Sequence, residues 1–272
     1  MKITFIGGGN MASALIGGML RNGFAAAGIT VVEPGSSARE RLQAMYDDIV
    51  CVNSVADLAC IGDLLLLAVK PQQMREACAP LNGKLGSALV ISIAAGLDLA
   101  TLSRFLGGHR RIVRCMPNTP ALIGASMTGL CALPEVDLAS RAVADQALAA
   151  VGDTLWVDEE RQMDGVTALS GSGPAYVFLL IEALQQAAAE LGFTPEQGRQ
   201  LAIETVAGAA AQAARSTESA ATLRARVTSK GGTTEAALRV MLDAGVKEGV
   251  IAGVKAAAVR SRELGEQLGS NA

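Results

Sequence analysis

Short apolar runs alternate with stretches of helical spacing through the first half of the chain. Residues 3–6, 30–33, 49–53, 64–69, 89–93 and 112–115 read as strands, with further candidates at 127–131 and 154–157. Between them, residues 11–21, 38–45, 72–81 and 138–151 repeat their apolar positions with the period of a helix. That order predicts a mostly parallel sheet wrapped by helices. The second half changes character: from Pro174 onward the pattern is that of long alanine-rich helices, at 195–214, 220–227, 235–244 and 247–268. Six of the eight prolines fall in the first half, at turns, and Pro174 and Pro195 stand where a helix would begin, a position at which the missing N–H costs nothing. Thr194-Pro195-Glu196-Gln197 has capping-box spacing. The predicted domains are 1–160 and 161–272, with the boundary near residues 160–165. Gly192, Gly198, Gly208, Gly249 and Gly253 lie in or beside these helices. An interior glycine costs a helix about 1 kcal/mol relative to alanine, so the series predicts close helix approach and a core completed by a second subunit.

Composition narrows the function. The 272 residues are half apolar, poor in aromatics and rich in alanine and glycine, which suits close helix packing better than a β-sandwich. A net charge of -3 and a pI near 5.4 do not supply the basic face that nucleic acid requires. The unbroken apolar run 64–69 is too short to span a bilayer, so no membrane partner is expected. The first residues run directly into a strand, which predicts a cytoplasmic protein without a signal peptide. Cys51, Cys60, Cys78, Cys115 and Cys131 are scattered and read as inert thiols in a reducing compartment. His109 is the only histidine and reads as a surface-loop residue, so no metal is expected and a serine-histidine triad is improbable.

The glycine loop carries more specific chemistry. Gly7-Gly8-Gly9-Asn10-Met11-Ala12 follows the strand ending at Ile6 and opens a helix. Gly7 suits a tight turn, Gly9 lets backbone approach a pyrophosphate, and Ala12 lets the helix pack on the strand. The helix N-terminus then offers its free N–H groups to the diphosphate of a nicotinamide dinucleotide. Glu33 stands where an acidic residue binds the ribose hydroxyls of NAD, yet Gly35-Ser36-Ser37-Ala38-Arg39 follows with hydroxyls and a cation for a 2′-phosphate. NADH and NADPH both remain open on these residues. Asn53 and the segment Ala68, Val69, Lys70, Pro71 close later strands and fall along the cofactor's path.

Two further clusters, Ser170-Gly171-Ser172-Gly173-Pro174-Ala175-Tyr176 and Val227-Thr228-Ser229-Lys230-Gly231-Gly232-Thr233-Thr234, lead into helical sequence without any histidine, cysteine or carboxylate. They read as hydroxyls and backbone N–H groups that hold a substrate while the nicotinamide does the chemical work.

Together with Ser-Ile-Ala-Ala-Gly from Ser92 and Arg-Cys-Met-Pro-Asn-Thr-Pro from Arg114, these segments resemble the pyrroline-5-carboxylate reductases over nearly the whole chain. The resemblance implies an α/β fold, an N-terminal Rossmann dinucleotide-binding domain followed by a C-terminal all-helical dimerisation domain. It implies reduction of 1-pyrroline-5-carboxylate to L-proline by NADPH or NADH, with NADPH (the NADP couple) favoured. The partners implied are a small-molecule substrate and a second copy of the chain, in a homodimer or a ring of dimers such as a decamer. Thr234 would be the hydroxyl nearest the imine nitrogen. Ser229, Gly231, Gly232, Thr233 and Thr234 would receive the substrate carboxylate. Ser172 and Gly173 would line the pocket, and Asn118 would sit beside the nicotinamide. Lys230 departs from the proline that many relatives carry. A β-hydroxyacid dehydrogenase would place a lysine one turn beyond the second cluster, where this chain has Tyr176, Val177, Phe178 and Leu179. A non-catalytic nucleotide sensor would leave Gly231 to Thr234 without a purpose.

Overall fold

The computed structural model describes residues 1–270. Strands β1 (Ile3–Ile6), β2 (Ile29–Val32), β3 (Val50–Val52), β4 (Leu64–Leu67), β5 (Leu89–Ser92), β6 (Ile112–Met116), β7 (Ser126–Ala132) and β8 (Gly152–Trp156) form one sheet. Their order is β3-β2-β1-β4-β5-β6-β7-β8. The first six are parallel; β7 runs antiparallel to β6 and parallel to β8. The unbroken apolar runs follow from burial on both faces. Leu64 and Leu66 enter one core cluster, with Leu15, Ile16 and Met19 of α1 (Asn10–Arg21). Leu65 and Leu67 enter the other, with Met74 and Cys78 of α3 (Met74–Cys78). Successive strand residues face opposite sides, so both sides must be apolar where helices cover both.

The remaining helices of the first half are α2 (Ser36–Met45), α4 (Leu99–Phe105), α5 (Leu138–Ala149) and α6 (Gln162–Val166). Two expectations change here. Residues 72–81 are not one helix: a short 3-10 turn opened by Pro71 and another holding Pro80 as its second residue flank the five residues of α3. The helix α4 has no counterpart in the sequence reading. Asp98 caps it, accepting from the Thr101 N–H at 2.7 Å, and Leu99 and Leu102 enter the second core.

The chain divides into two compact units, Met1–Ser172 together with the residues from Ala257 onward, and Gly173–Ala256. By packing, the division falls after Ser172, and the chain's last turns return to the first unit. Local packing explains both. Met163 is buried in the second core cluster. Glu160 pairs with the buried Arg114 at 3.0 Å and accepts from the Leu99 N–H at 2.7 Å. Ser261 donates to Asp164 at 2.7 Å, and a Cβ on Gly265 would stand 2.9 Å from the Gly96 carbonyl oxygen.

The second unit contains α7 (Gly173–Glu190), α8 (Pro195–Ala214), α9 (Ala220–Arg226), α10 (Thr233–Asp243) and the first part of α11 (Val246–Ser270). Thr194 forms the expected capping box with Gln197. Gly198 lets α8 approach α7, since a Cβ there would lie 3.1 Å from the Ala188 Cβ; Gly208, Gly249 and Gly253 meet nothing within 4 Å. Among the described apolar residues of this unit only Ala188 and Ala202 are buried, while Phe178, Leu179 and Val240 are each about two-thirds exposed. The stretch Gln162–Glu190 is long and apolar enough, by length and composition, to cross a membrane. Helical length rather than an unbroken apolar run sets that limit.

His109, expected on a surface loop, is half-buried with Nε2 2.9 Å from the Ala88 carbonyl oxygen. Desolvation lowers its pKa below the ordinary 6.5. The unfolded chain therefore binds a proton before the folded one does, so the stability held above pH 6.5 is lost as the pH falls through the folded value. The urea midpoint should decline from pH 7 into the acid range, and His109→Gln should flatten that decline. An unchanged slope in the variant would remove the assignment.

Candidate active site

The end of β1 is where the first half of the site is built. Gly7 has φ +99 and its N–H donates to the Val32 carbonyl at 2.8 Å. A Cβ on Gly7 would stand 2.8 Å from the Ala68 carbonyl oxygen, so only glycine fits between the ends of β1 and β4. Gly9 is the N-cap of α1, without a side-chain cap, without an acidic residue in the first turn, and with open space where its Cβ would be. The first N–H groups of α1, at Asn10 and Met11, thus point outward at the positive end of the helix dipole. This cradle fits a dinucleotide diphosphate: a side chain at Gly9 would fill the space the phosphates need.

Glu33 works on this loop from the end of β2. One carboxylate oxygen accepts from the Gly8 N–H and the other from the Gly35 N–H, each at 2.8 Å. Arg39 donates to the Glu33 and Pro34 carbonyls at 2.7 Å and to Asn53 Oδ1 at 3.2 Å. Beside them runs a cleft of about 460 Å³ lined by Ile6, Gly7, Asn53 and Val69 among others. Ser36 begins α2, with Gly35 as its N-cap. Ala68 follows β4 directly, whereas Lys70 is exposed and Pro71 opens the next turn outside the cleft lining. The cleft also takes Gln73, Glu76, Ala77 and Pro80, which the sequence reading missed. The short helix after a Lys-Pro step at a strand end was their only signal.

The Ser170–Pro174 cluster joins a π-helical turn to the start of α7. Thr167–Gly171 forms a π-helical turn between α6 and α7, and the Ser172 N–H donates to the Thr167 carbonyl at 2.8 Å. Gly173 starts α7 with open space at its Cβ position. The Asn118 side chain, expected at a ligand, is engaged on both its oxygen and its nitrogen by protein groups.

In the second unit, Ser229 to Gly232 makes a turn closed by the Gly232 N–H and the Ser229 carbonyl at 3.0 Å, with Gly231 at φ +74. Thr233 and Thr234 are the first two residues of α10, whose N-cap Gly232 has no side-chain cap. Their N–H groups are free, whereas the Gly231 N–H already donates to Glu235 Oε2 at 2.6 Å. Gly231 and Gly232 also border a cleft of about 850 Å³ with Arg224 and Arg239. No histidine stands at either helix start, and the first-turn carboxylate of α10, Glu235, is engaged by the Gly231 N–H, so the groups offered are N–H donors and neutral hydroxyls.

A sequence profile described as NADP oxidoreductase, coenzyme F420-dependent, matches residues 2–96, and one described as pyrroline-5-carboxylate reductase dimerisation matches residues 160–264. The chain is 45% identical over 269 residues to the pyrroline-5-carboxylate reductase of Pseudomonas aeruginosa, covering 98% of each. It belongs to the pyrroline-5-carboxylate reductase family.

Solved structures agree. The Coxiella burnetii pyrroline-5-carboxylate reductase superposes with a TM-score of 0.90 at 40% identity, covering 97% of this chain and 98% of that one. The Plasmodium falciparum pyrroline carboxylate reductase, solved with NADP bound, gives 0.86 at 28% identity with the same coverage. A family of nicotinamide-dependent reductases with a dimerisation domain accounts for both the phosphate cradle and the uncovered apolar helices. The chain is thus a nicotinamide-dependent oxidoreductase that associates with copies of itself.

Lys230 occupies the second position of the 229–232 turn, ahead of Gly231 at positive φ, which is the pattern of a type II turn. Proline is favoured there because its ring fixes φ near the required value. Lys230→Pro should therefore raise stability by about 0.4–1 kcal/mol through the unfolded state, read as a higher denaturant midpoint. A second pair of variants separates binding from folding at the glycine loop. Gly9→Val should cost the fold only the poorer N-cap, about 1 kcal/mol, and bind cofactor at least tenfold more weakly, about 1.4 kcal/mol. Gly7→Ala should destabilise the fold itself. Wild-type cofactor affinity in Gly9→Val, by fluorescence titration, would undo the cradle assignment.

Proposed function

We propose that the chain catalyses reduction of 1-pyrroline-5-carboxylate to L-proline, with NADPH as the preferred donor. The observation that carries this reading is the pairing, in one chain, of an uncapped glycine-loop helix without an acidic residue in its first turn and a second uncapped helix start bearing two threonines, whose first-turn Glu235 is held by the Gly231 N–H. The bound nicotinamide supplies the hydride. The N–H groups of Asn10 and Met11 hold the diphosphate, and Ile6, Gly7, Gly8, Asn53, Ala68 and Val69 shape the adenosine and ribose path, with Lys70 and Pro71 at its far edge. Ser36, at the start of α2, meets the 2′-phosphate beside the Arg39 guanidinium. Glu33 spends its carboxylate on the Gly8 and Gly35 N–H groups, which offsets the charge that a phosphate would otherwise face.

The substrate carboxylate lies at the N-terminus of α10, received by the Thr233 and Thr234 N–H groups with Ser229, Gly231 and Gly232 shaping the turn. Ser172 and Gly173 line the pocket. The protonated imine nitrogen donates its N–H to the Thr234 hydroxyl oxygen. A protonated imine is already a good electrophile, so a neutral acceptor that orients it is sufficient. Hydride adds to the imine carbon while the nitrogen keeps its proton, which leaves the secondary amine of proline. Placing two reactants face to face can supply about 7–11 kcal/mol of the barrier reduction. The assembly is a homodimer, extended to a ring of dimers, a reading supported by the exposed apolar residues of α7 and α10. A cytoplasmic location is supported by five free cysteines.

The test is loss of nicotinamide absorbance with purified protein, pyrroline-5-carboxylate and either NADPH or NADH, on a sample whose mass is read by light scattering. Substrate-dependent loss, faster with NADPH, from a dimer or larger species is expected. Faster loss with NADH would assign Glu33 to the ribose hydroxyls instead. Thr234→Ala should lower kcat while leaving cofactor affinity within about twofold; wild-type turnover would refute the role of Thr234. No turnover with either cofactor would sink the reaction.

A further inference from the structure

Asn118 is the point at which three separate segments are fastened together. Its Oδ1 accepts from Ser126 Oγ at 3.0 Å and from the Met127 N–H at 3.1 Å, both at the start of β7. Its Nδ2 donates to the Ser170 carbonyl and to Ser170 Oγ, each at 3.2 Å. Ser170 Oγ in turn donates to the Met127 carbonyl at 2.8 Å, closing the ring of bonds. The amide's orientation is fixed by its partners: a backbone N–H demands the oxygen on one side and a backbone carbonyl demands the nitrogen on the other. Both ends are therefore used by the protein, and no side-chain donor or acceptor is held in reserve for a ligand.

The Ser170 partner lies inside the π-helical turn Thr167–Gly171. A π turn carries one residue more per turn than the α-helices it joins, is rare, and tends to occur at functional positions. Here it delivers Ser172 and the start of α7. On the other side, Asn118 follows β6 and heads the 3-10 turn Thr119–Ile123, accepting there from the Ala121 N–H at 3.1 Å. The amide thus sets the distance between the turn that carries Ser172 and the exit of β6.

We infer that Asn118 is a positioning residue and not a substrate ligand: it holds the π turn in register so that Ser172 and Gly173 meet the reacting groups. This rests on the reaction proposed above, in which Ser172 and Gly173 line the pocket. Asn118→Asp keeps an oxygen toward Ser126 and Met127 but turns a second oxygen on the Ser170 carbonyl, so the β7 contact survives and the π turn is pushed away.

The experiment combines kinetics with amide hydrogen exchange on full-length Asn118→Asp, Ser170→Ala and the double variant. A misplacement near 1 Å reduces rate by about 10²-fold, so kcat of Asn118→Asp should fall by that order. The substrate KM should stay within about threefold, because the carboxylate contacts lie on α10, a shift below about 1 kcal/mol. Exchange at the Ser172 amide should accelerate while exchange in α1 stays as in wild type. Ser170→Ala, which retains the carbonyl, should show a smaller loss, and the double variant should lose less than the sum of the two. A wild-type kcat in Asn118→Asp, or a raised KM at constant kcat, would overturn positioning in favour of direct contact or no role. If the wild-type protein fails to reduce the imine, the reaction fails instead, and Ser172 exchange still decides: unchanged protection in Asn118→Asp overturns the inference on its own.

Discussion

The ends of β1 and β4 stand so close that no side chain fits between them, and the rest of the first unit is arranged around that contact. Gly7 sits there at positive φ, with the Ala68 carbonyl where its Cβ would be and its N–H on the Val32 carbonyl of β2. One residue thus joins the ends of three strands. The sheet order places β2 on one side of β1 and β4 on the other, so the connections leaving these strands diverge and open a crevice at their carboxyl ends. The α1 N-terminus, the Glu33 carboxylate and the cofactor cleft all take their positions from this divergence.

Side chains in the site act mainly on backbone. Glu33 secures the Gly8 and Gly35 N–H groups, Glu235 secures the Gly231 N–H, and Asn118 secures Met127 and Ser170. What is left facing outward is a set of oriented N–H dipoles and hydroxyls that need no titration to function. A reaction between an electrophilic imine and a hydride donor asks for placement more than for proton transfer. The scarcity of histidine and the abundance of glycine in this chain suit that requirement.

The helical unit follows a different logic. Its apolar residues lie mostly outside, and its interior contact between α7 and α8 rests on Gly198 and Ala188. Such an element is incomplete in hydrophobic terms until another surface covers it. The dimerisation profile over residues 160–264 names the kind of surface that does so. Gly208, Gly249 and Gly253, which meet nothing inside the chain, leave space on faces that remain uncovered.

Much of this was legible in the sequence. Apolar runs in the first half gave all eight strands to within a few residues, because burial on both faces leaves an unmistakable pattern at β4 and β5. The glycine loop and the Gly232–Thr234 helix start were legible because backbone geometry there tolerates few residue types. The sequence did not reveal α4, whose apolar positions are spread over seven residues, or the broken helix around α3, where two prolines interrupt the period. Local patterns also did not show the π-helical turn before Ser172 or the bonds that tie Asn118 to Met127 and Ser170. Sequence alone determined the alternation of elements and the chemistry available, since both are set by neighbours along the chain. Only the tertiary structure decided that Asn118 is consumed by Met127 and Ser170, that Glu33 binds Gly8, and that the last helix returns to the first unit, because each depends on which distant residues the sheet brings within a hydrogen bond.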